Sequence, residues 1–269
     1  MNMRPVVAYV VLAYCLSWIW WIPMAASGTV VDPGQGWPTH LPGLLGPAVA
    51  AVVVTAATQG RSGLADLWAR IVRWRVGWVY YLIILATAAM ALIPLLTPAD
   101  RSANDFFLYS GAPSVGLWVV LFVLLVNGFG EEIGWRGFLA DRLLNRFSPA
   151  VTALIVWVVW AGWHAPLFLV VGNFRELGVG GTIGWLIGIG FGSVFLTWLY
   201  KSANRSILIV ALWHTAYNFT TATKASAGVA AAVASTLVIV ASVVILLRRA
   251  SWRMPALTTG GSAATEVSA

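Results

Sequence analysis

Residues 115–140 read VGLWVVLFVLLVNGFGEEIGWRGFLA, a run long and oily enough to cross a bilayer that nevertheless carries Glu131, Glu132 and Arg136. Nothing about holding a helix in lipid explains those three charges. Each costs roughly 2.5 to 3.5 kcal/mol at the centre of a spanning helix, so a retained cluster has to face a polar interior and marks a functional site. Asn127, Glu131 and Trp135 are four apart and are expected on one helix face, whereas Glu132 and Arg136 form a second pair about 100° round the axis. Arg136 can neutralise Glu132 within the helix, which leaves Glu131 the freer carboxylate.

The rest of the chain agrees with a membrane setting. Of 269 residues, 60% are hydrophobic and 9% charged, with a mean hydropathy of +0.85, against about 25% charged residues in soluble chains. The expected fold is all-α, a polytopic membrane helical bundle in the cell membrane. In a soluble chain the net charge of +7 would suggest nucleic acid; here it reads as the cytoplasmic excess of Arg and Lys that sets topology, and no nucleic-acid partner is expected. The single cysteine, Cys15, excludes an intramolecular disulfide and a two-cysteine metal site, and is expected to be a buried small side chain.

Eight apolar runs can be drawn, at about Pro5–Ala26, Leu41–Thr58, Gly77–Thr97, Val115–Ala140, Pro149–Val171, Gly181–Tyr200, Ile207–Thr221 and Gly228–Leu247. The first exceeds a signal-peptide apolar core and holds Trp18, Trp20 and Trp21, so it is expected to be a retained helix with an interfacial aromatic belt. Residues 61–76 form a basic amphipathic connector suited to the membrane surface. Arg4, Arg61, Arg70, Arg73, Arg75, Arg142, Arg146, Lys201, Arg205, Arg248, Arg249 and Arg253 fall on one side of this layout, and only Arg101, Arg175 and Lys224 on the other. That asymmetry places both termini in the cytoplasm. The resulting division is residues 1–114 for the first three spans with their connector, 115–222 for a core of four spans, 223–249 for the last span, and 250–269 for a Ser, Thr, Gly and Ala rich tail expected to be disordered. Gly180, Gly184, Gly188 and Gly192 are four apart, which reads as a packing face for another helix, with a hinge or lateral gate as the alternative.

Two histidines, His164 and His214, lie inside apolar spans, each four residues from a further candidate, Trp160 and Asn218. At about 1.5 Å per residue, Glu131 stands ~15 Å, His164 ~22 Å and His214 to Asn218 ~11 to 17 Å from the cytoplasmic helix ends, depths that overlap within the boundary error. A buried carboxylate, two imidazoles and an amide at one depth supply what amide hydrolysis demands: a group to take a proton from water, a group to orient it, and donors for the oxyanion.

Glu131-Glu132-x-x-x-Arg136, the motif ending at His164, and His214-x-x-x-Asn218 resemble the three motifs of the CPBP intramembrane protease family, the CAAX protease and bacteriocin-processing or Abi family, which includes the CAAX prenyl protease 2 type. The resemblance covers about Val115 to Thr221, with one departure at Trp160, where the motif usually opens with Phe. It implies an intramembrane endopeptidase acting on a membrane-associated or prenylated-type substrate. Glu131 and His164 would activate water, His214 and Asn218 would form the oxyanion hole, and Glu132 with Arg136 would hold the site together. Two His and a Glu can bind zinc with a position left open for water, or act without metal; the residues leave both open. The competing classes are a non-catalytic scaffold or bacteriocin self-immunity protein of the same fold, and a proton-coupled transporter, which would usually show broken helices.

Overall fold

The computed structural model describes residues 3–97, 100–226 and 228–248. The tail expected to be disordered, residues 250–269, lies outside them. All regular structure among the described residues is helical, and we label it α1 Arg4–Ala26, α2 Leu41–Ile71, α3 Trp78–Leu96, α4 Trp118–Leu143, α5 Pro149–Val170, α6 Gly178–Ser202, α7 Ile207–Thr221 and α8 Val229–Leu247. Seven of these are long and apolar enough to cross a membrane; the chain is a multi-pass membrane protein. The eighth expected span, α7, has 15 residues, about 22 Å of helix, short of the roughly 30 Å hydrocarbon layer.

The loops gather at two opposite ends. At one, Val31 bridges to Val171, Pro33 to Ser110 and Tyr109 to Thr223. At the other, Arg142 reaches Gln59, Arg73 reaches the Asn204 carbonyl, and Tyr80 reaches the Ser202 carbonyl. Helix α7 runs from Ser206, whose hydroxyl donates to the Arg73 carbonyl, to Thr223 beside Tyr109, so it too connects the two ends. Ser148 with Pro149 and Ser206 start α5 and α7 as hydroxyl caps accepting from Val151 and Ile209 backbone N–H groups.

Helix packing in lipid rests on close contact and internal hydrogen bonds, because leaving water supplies no drive between helices already in hydrocarbon. Trp21, Trp135 and Trp163 are fully buried at the junction of α1, α4 and α5, with ring centroids 4.7 Å apart for Trp21 and Trp163 and 5.4 Å for Trp135 and Trp163. Trp163 Nε1 donates to Ser17 Oγ (2.8 Å), which donates to the Gly43 carbonyl (2.6 Å). The aromatic belt expected on α1 is therefore turned inward: Trp18 and Trp20 donate to the carbonyls of Trp163 and Thr39. Helix α1 buries Val6, Tyr9, Ala13, Ser17 and Trp21; Cys15 falls outside that stripe and is exposed, contrary to the buried position expected.

Two further expectations are revised. The stretch 61–76 is no separate connector over its first part, since α2 continues through a kink at Gly60 (φ 60°) to Ile71. Its Arg70 is only 4% exposed and binds the Gly137 carbonyl (2.7 Å), Tyr200 Oη (2.7 Å) and Asp66 (2.9 Å), while Arg205 grips both oxygens of Asp141 (2.7 and 2.8 Å). A buried guanidinium is tolerated where carboxylates and carbonyls satisfy it. The glycines of α6 are not a packing face either: a Cβ on Gly180, Gly184, Gly188 or Gly192 would meet nothing within 4 Å. Helix α6 meets α5 through Gly190, where Trp157 lies against the backbone and donates to the Leu186 carbonyl, on the far side of the helix from Gly188.

Candidate active site

The glycines that bring helices together are those around the glutamates. A Cβ on Gly128 would stand 2.9 Å from the Ala211 carbonyl of α7, and one on Gly130 2.9 Å from the Leu44 carbonyl of α2; one on Gly134 would collide with Tyr9 of α1 and Pro47 of α2. Helix α4 is π-helical over Leu124–Phe129 and Trp135–Ala140, on either side of the α-helical turn Gly130–Gly134 that carries Glu131 and Glu132. Such wide turns shift side chains off the regular phase and cluster at functional sites. Asn127 and Glu131 accordingly line one cavity, whereas Trp135, expected on the same face, packs against Tyr9 and Trp163 instead.

The two carboxylates are held differently. Glu131 is 2% exposed and accepts one hydrogen bond, from Trp160 Nε1 at 2.7 Å. Glu132 is fully buried, and its Oε1 accepts from both Arg136 Nη1 (2.9 Å) and His214 Nδ1 (2.7 Å). The Arg136 guanidinium also lies over the Trp160 ring, 4.4 Å from its centroid. Glu132 thus clamps α4 to α7 as well as balancing Arg136 one turn away. With His214 as imidazolium, the two carboxylates and the two cations sum to zero charge, the arrangement that costs least in a low-dielectric interior.

Each imidazole is oriented through Nδ1. Helix α5 breaks after Trp163, because Pro166 has no N–H and excludes its neighbours from the helical ladder. His164 sits at that break, its Nδ1 2.7 Å from the Trp160 carbonyl. A carbonyl only accepts, so Nδ1 carries the proton and Nε2 keeps its lone pair for a proton or a ligand. His214 Nδ1 likewise faces an acceptor, Glu132.

Glu131, His164, His214, Asn218 and Trp160 all line a single cavity of about 750 Å³. Glu132 and Arg136 lie behind it. One wall is the open glycine face, Gly184, Gly188 and Gly192, continued by Ala231, Ala232 and Ser235 of α8. Among the described residues no group of three His, Cys, Asp or Glu side chains is placed to hold a metal ion.

A third histidine, which no motif in the sequence singles out, also reaches the cavity. His40, at the end of the 27–40 loop, is 5% exposed and lines the same space. Its only sequence signal is its rarity, as one of three histidines, and its place directly before an apolar span.

Comparison with known proteins finds two similarities. Residues 113–220 match the family model described as type II CAAX prenyl endopeptidase Rce1-like. CAAX prenyl protease 2 of Methanococcus maripaludis is 24% identical over 184 residues, 65% of this chain and 68% of that protein. The matched segment 113–220 holds the paired glutamates, His164, His214 and Asn218, and over it the chain is similar to type II CAAX prenyl endopeptidases of the Rce1-like kind.

Proposed function

We propose that the protein is an intramembrane endopeptidase that hydrolyses a peptide bond of a membrane-associated, prenylated-type substrate with water activated by Glu131 and His164. The observation that carries this reading is the meeting of Glu131, His164, His214 and Asn218, from three helices, on one cavity. Glu131, or the free Nε2 of His164, takes a proton from water as its oxygen adds to the scissile carbonyl carbon. The carbonyl oxygen becomes an oxyanion within reach of the His214 and Asn218 donors. Collapse of that intermediate breaks the C–N bond, and the proton held by Glu131 or His164 passes to the departing amine.

Trp160 and Glu132 are positioning residues in this scheme, the first for Glu131 and His164, the second for His214. No step is routed through a metal. The apolar part of the substrate would lie along the glycine-lined wall, where missing side chains leave open space. The membrane would be the cell membrane, with the Arg-rich loops and both termini on its cytoplasmic face.

The break in α5 is a feature shared with proton-coupled transporters, and a fold of this kind can also serve as a scaffold or self-immunity protein. A cleavage assay separates these classes. Purified protein in liposomes is given a peptide anchored by a C-terminal isoprenylated cysteine motif, and products are identified by mass. Cleavage by the wild type and none by His164→Ala is expected; an intact peptide with folded wild-type protein would sink the peptidase reading.

A further inference from the structure

His40 is held more firmly than a loop residue needs to be. Its carbonyl accepts from Trp21 Nε1 at 2.7 Å and from the Gly43 N–H at 3.1 Å, which fixes its backbone against α1 and the start of α2. Gly111 closes over one edge of the ring: a Cβ there would stand 2.8 Å from His40 Nδ1 and 2.9 Å from Cε1, and would collide with Thr39 Oγ1. Gly111 also has φ +73°, a conformation that glycine adopts without strain. The imidazole edge bearing Nδ1 is therefore shut off by backbone, and Nδ1 is buried with no hydrogen-bond partner.

That orphan atom fixes the tautomer. A buried N–H with nothing to donate to is rarer in folded proteins than a buried acceptor left under-satisfied. The proton belongs on Nε2, and since His40 lines the cavity with its other edge closed, Nε2–H is the donor presented to that space. Burial, together with His164 nearby, pushes the His40 pKa down to about 4, so the ring is neutral at physiological pH. Other hydrogen-bonding side chains line the cavity with it: Ser110 and Asn173, with Asn173 Nδ2 3.5 Å from Ser110 Oγ.

We propose that His40 is a third imidazole of the active site, a neutral donor whose Nε2–H binds a backbone carbonyl of the substrate peptide and so places the peptide portion beside the catalytic groups. This rests on the peptidase reading. The contact would be made in the bound ground state as well as in the transition state, and its loss should raise KM more than it lowers kcat.

The test uses His40→Phe, which keeps a planar ring without a donor, and His40→Gln, which restores an N–H, each with turnover normalised to folded protein. Binding of the same isoprenylated peptide is also measured by fluorescence anisotropy in the Glu131→Ala background, so that a failure of cleavage itself does not hide the result. His40→Phe should weaken binding and raise KM about tenfold, the worth of one hydrogen bond of about 1.4 kcal/mol, and His40→Gln should recover most of it. Binding and KM within twofold of the parent in His40→Phe, or no recovery in His40→Gln, would overturn the proposal. Binding that responds to His40 while the wild type cuts nothing would instead remove the peptidase reading and leave His40 as a peptide-binding residue.

Discussion

Trp160 Nε1 donates to Glu131 Oε2 across 2.7 Å, while the carbonyl of the same Trp160 takes the Nδ1 proton of His164 at 2.7 Å. One residue therefore sets both the carboxylate and the imidazole proposed to activate water. A phenylalanine, the usual residue at this point of the motif, would keep the aromatic volume and lose the donor. A hydrogen bond to a charged group contributes about 1.5 to 3 kcal/mol, so Trp160→Phe is expected to lower kcat/KM by roughly 10- to 100-fold with the fold retained. Kinetics alongside thermal unfolding check it; unchanged kcat/KM would mean that Glu131 needs no donor.

The charge balance behind the cavity gives a second expectation. Glu132 and Arg136 are both 0% exposed in side-chain area, and removing one partner of such a pair strands the other at a cost of roughly 3 to 5 kcal/mol. Arg136→Ala and Glu132→Ala should therefore melt lower than Glu131→Ala, whose carboxylate is hydrogen-bonded to the uncharged Trp160 and makes no direct ion pair. Glu132→Gln combined with Arg136→Met removes both charges and should melt above either single variant. Thermal unfolding in detergent of these variants checks this, and a thermally silent Arg136→Ala would contradict it.

The open glycine wall is tested by filling it. Gly188→Leu places a branched side chain where a Cβ meets no atom within 4 Å, so the helix itself should be undisturbed, with helix propensity slightly improved. The expected outcome is a KM raised at least several-fold for an isoprenylated peptide and little altered for the same peptide carrying a short alkyl group. Equal effects on the two substrates would remove the apolar chain from that wall.

Metal content is a further discriminator. If Glu131 and His164 activate water by themselves, turnover is expected to persist after dialysis against a strong chelator. Near-stoichiometric zinc in purified wild type, lost in Glu131→Ala, His164→Ala and His214→Ala, would contradict a metal-free Glu and His mechanism.

Topology is tested by reporter fusions. Fusions after Ser110, Asn173 and Lys224 should report the outside and those after Arg75, Arg146 and Ser202 the cytoplasm, since each set of loops gathers at its own end of the bundle. One reversed reporter would require redrawing the spans.

Much of this molecule is legible in its sequence because lipid leaves few options. Backbone polar groups must be satisfied within a helix, so apolar length alone locates the spans, and charges that survive there advertise themselves, as Glu131, Glu132 and Arg136 do. Helix phase was harder to read. The π-helical turns around Gly130–Gly134 move Trp135 off the face of Asn127 and Glu131, and no residue pattern announces them. The four-residue glycine spacing on α6 describes a bare surface without saying whether another helix or a cavity covers it. His40 was invisible for a different reason: its loop is brought to the site by contacts such as those with Trp21 and Gly111, which are distant in sequence.

The most direct measurement is a double-mutant cycle on Glu131 and His164, with kcat/KM determined for Glu131→Ala, His164→Ala and the double variant on one isoprenylated peptide, each normalised to folded protein. Groups that activate one water as a unit lose their effect together, so the double variant should be no slower than either single one. Losses that multiply, or substantial turnover in either single variant, would contradict water activation by the Glu131 and His164 pair.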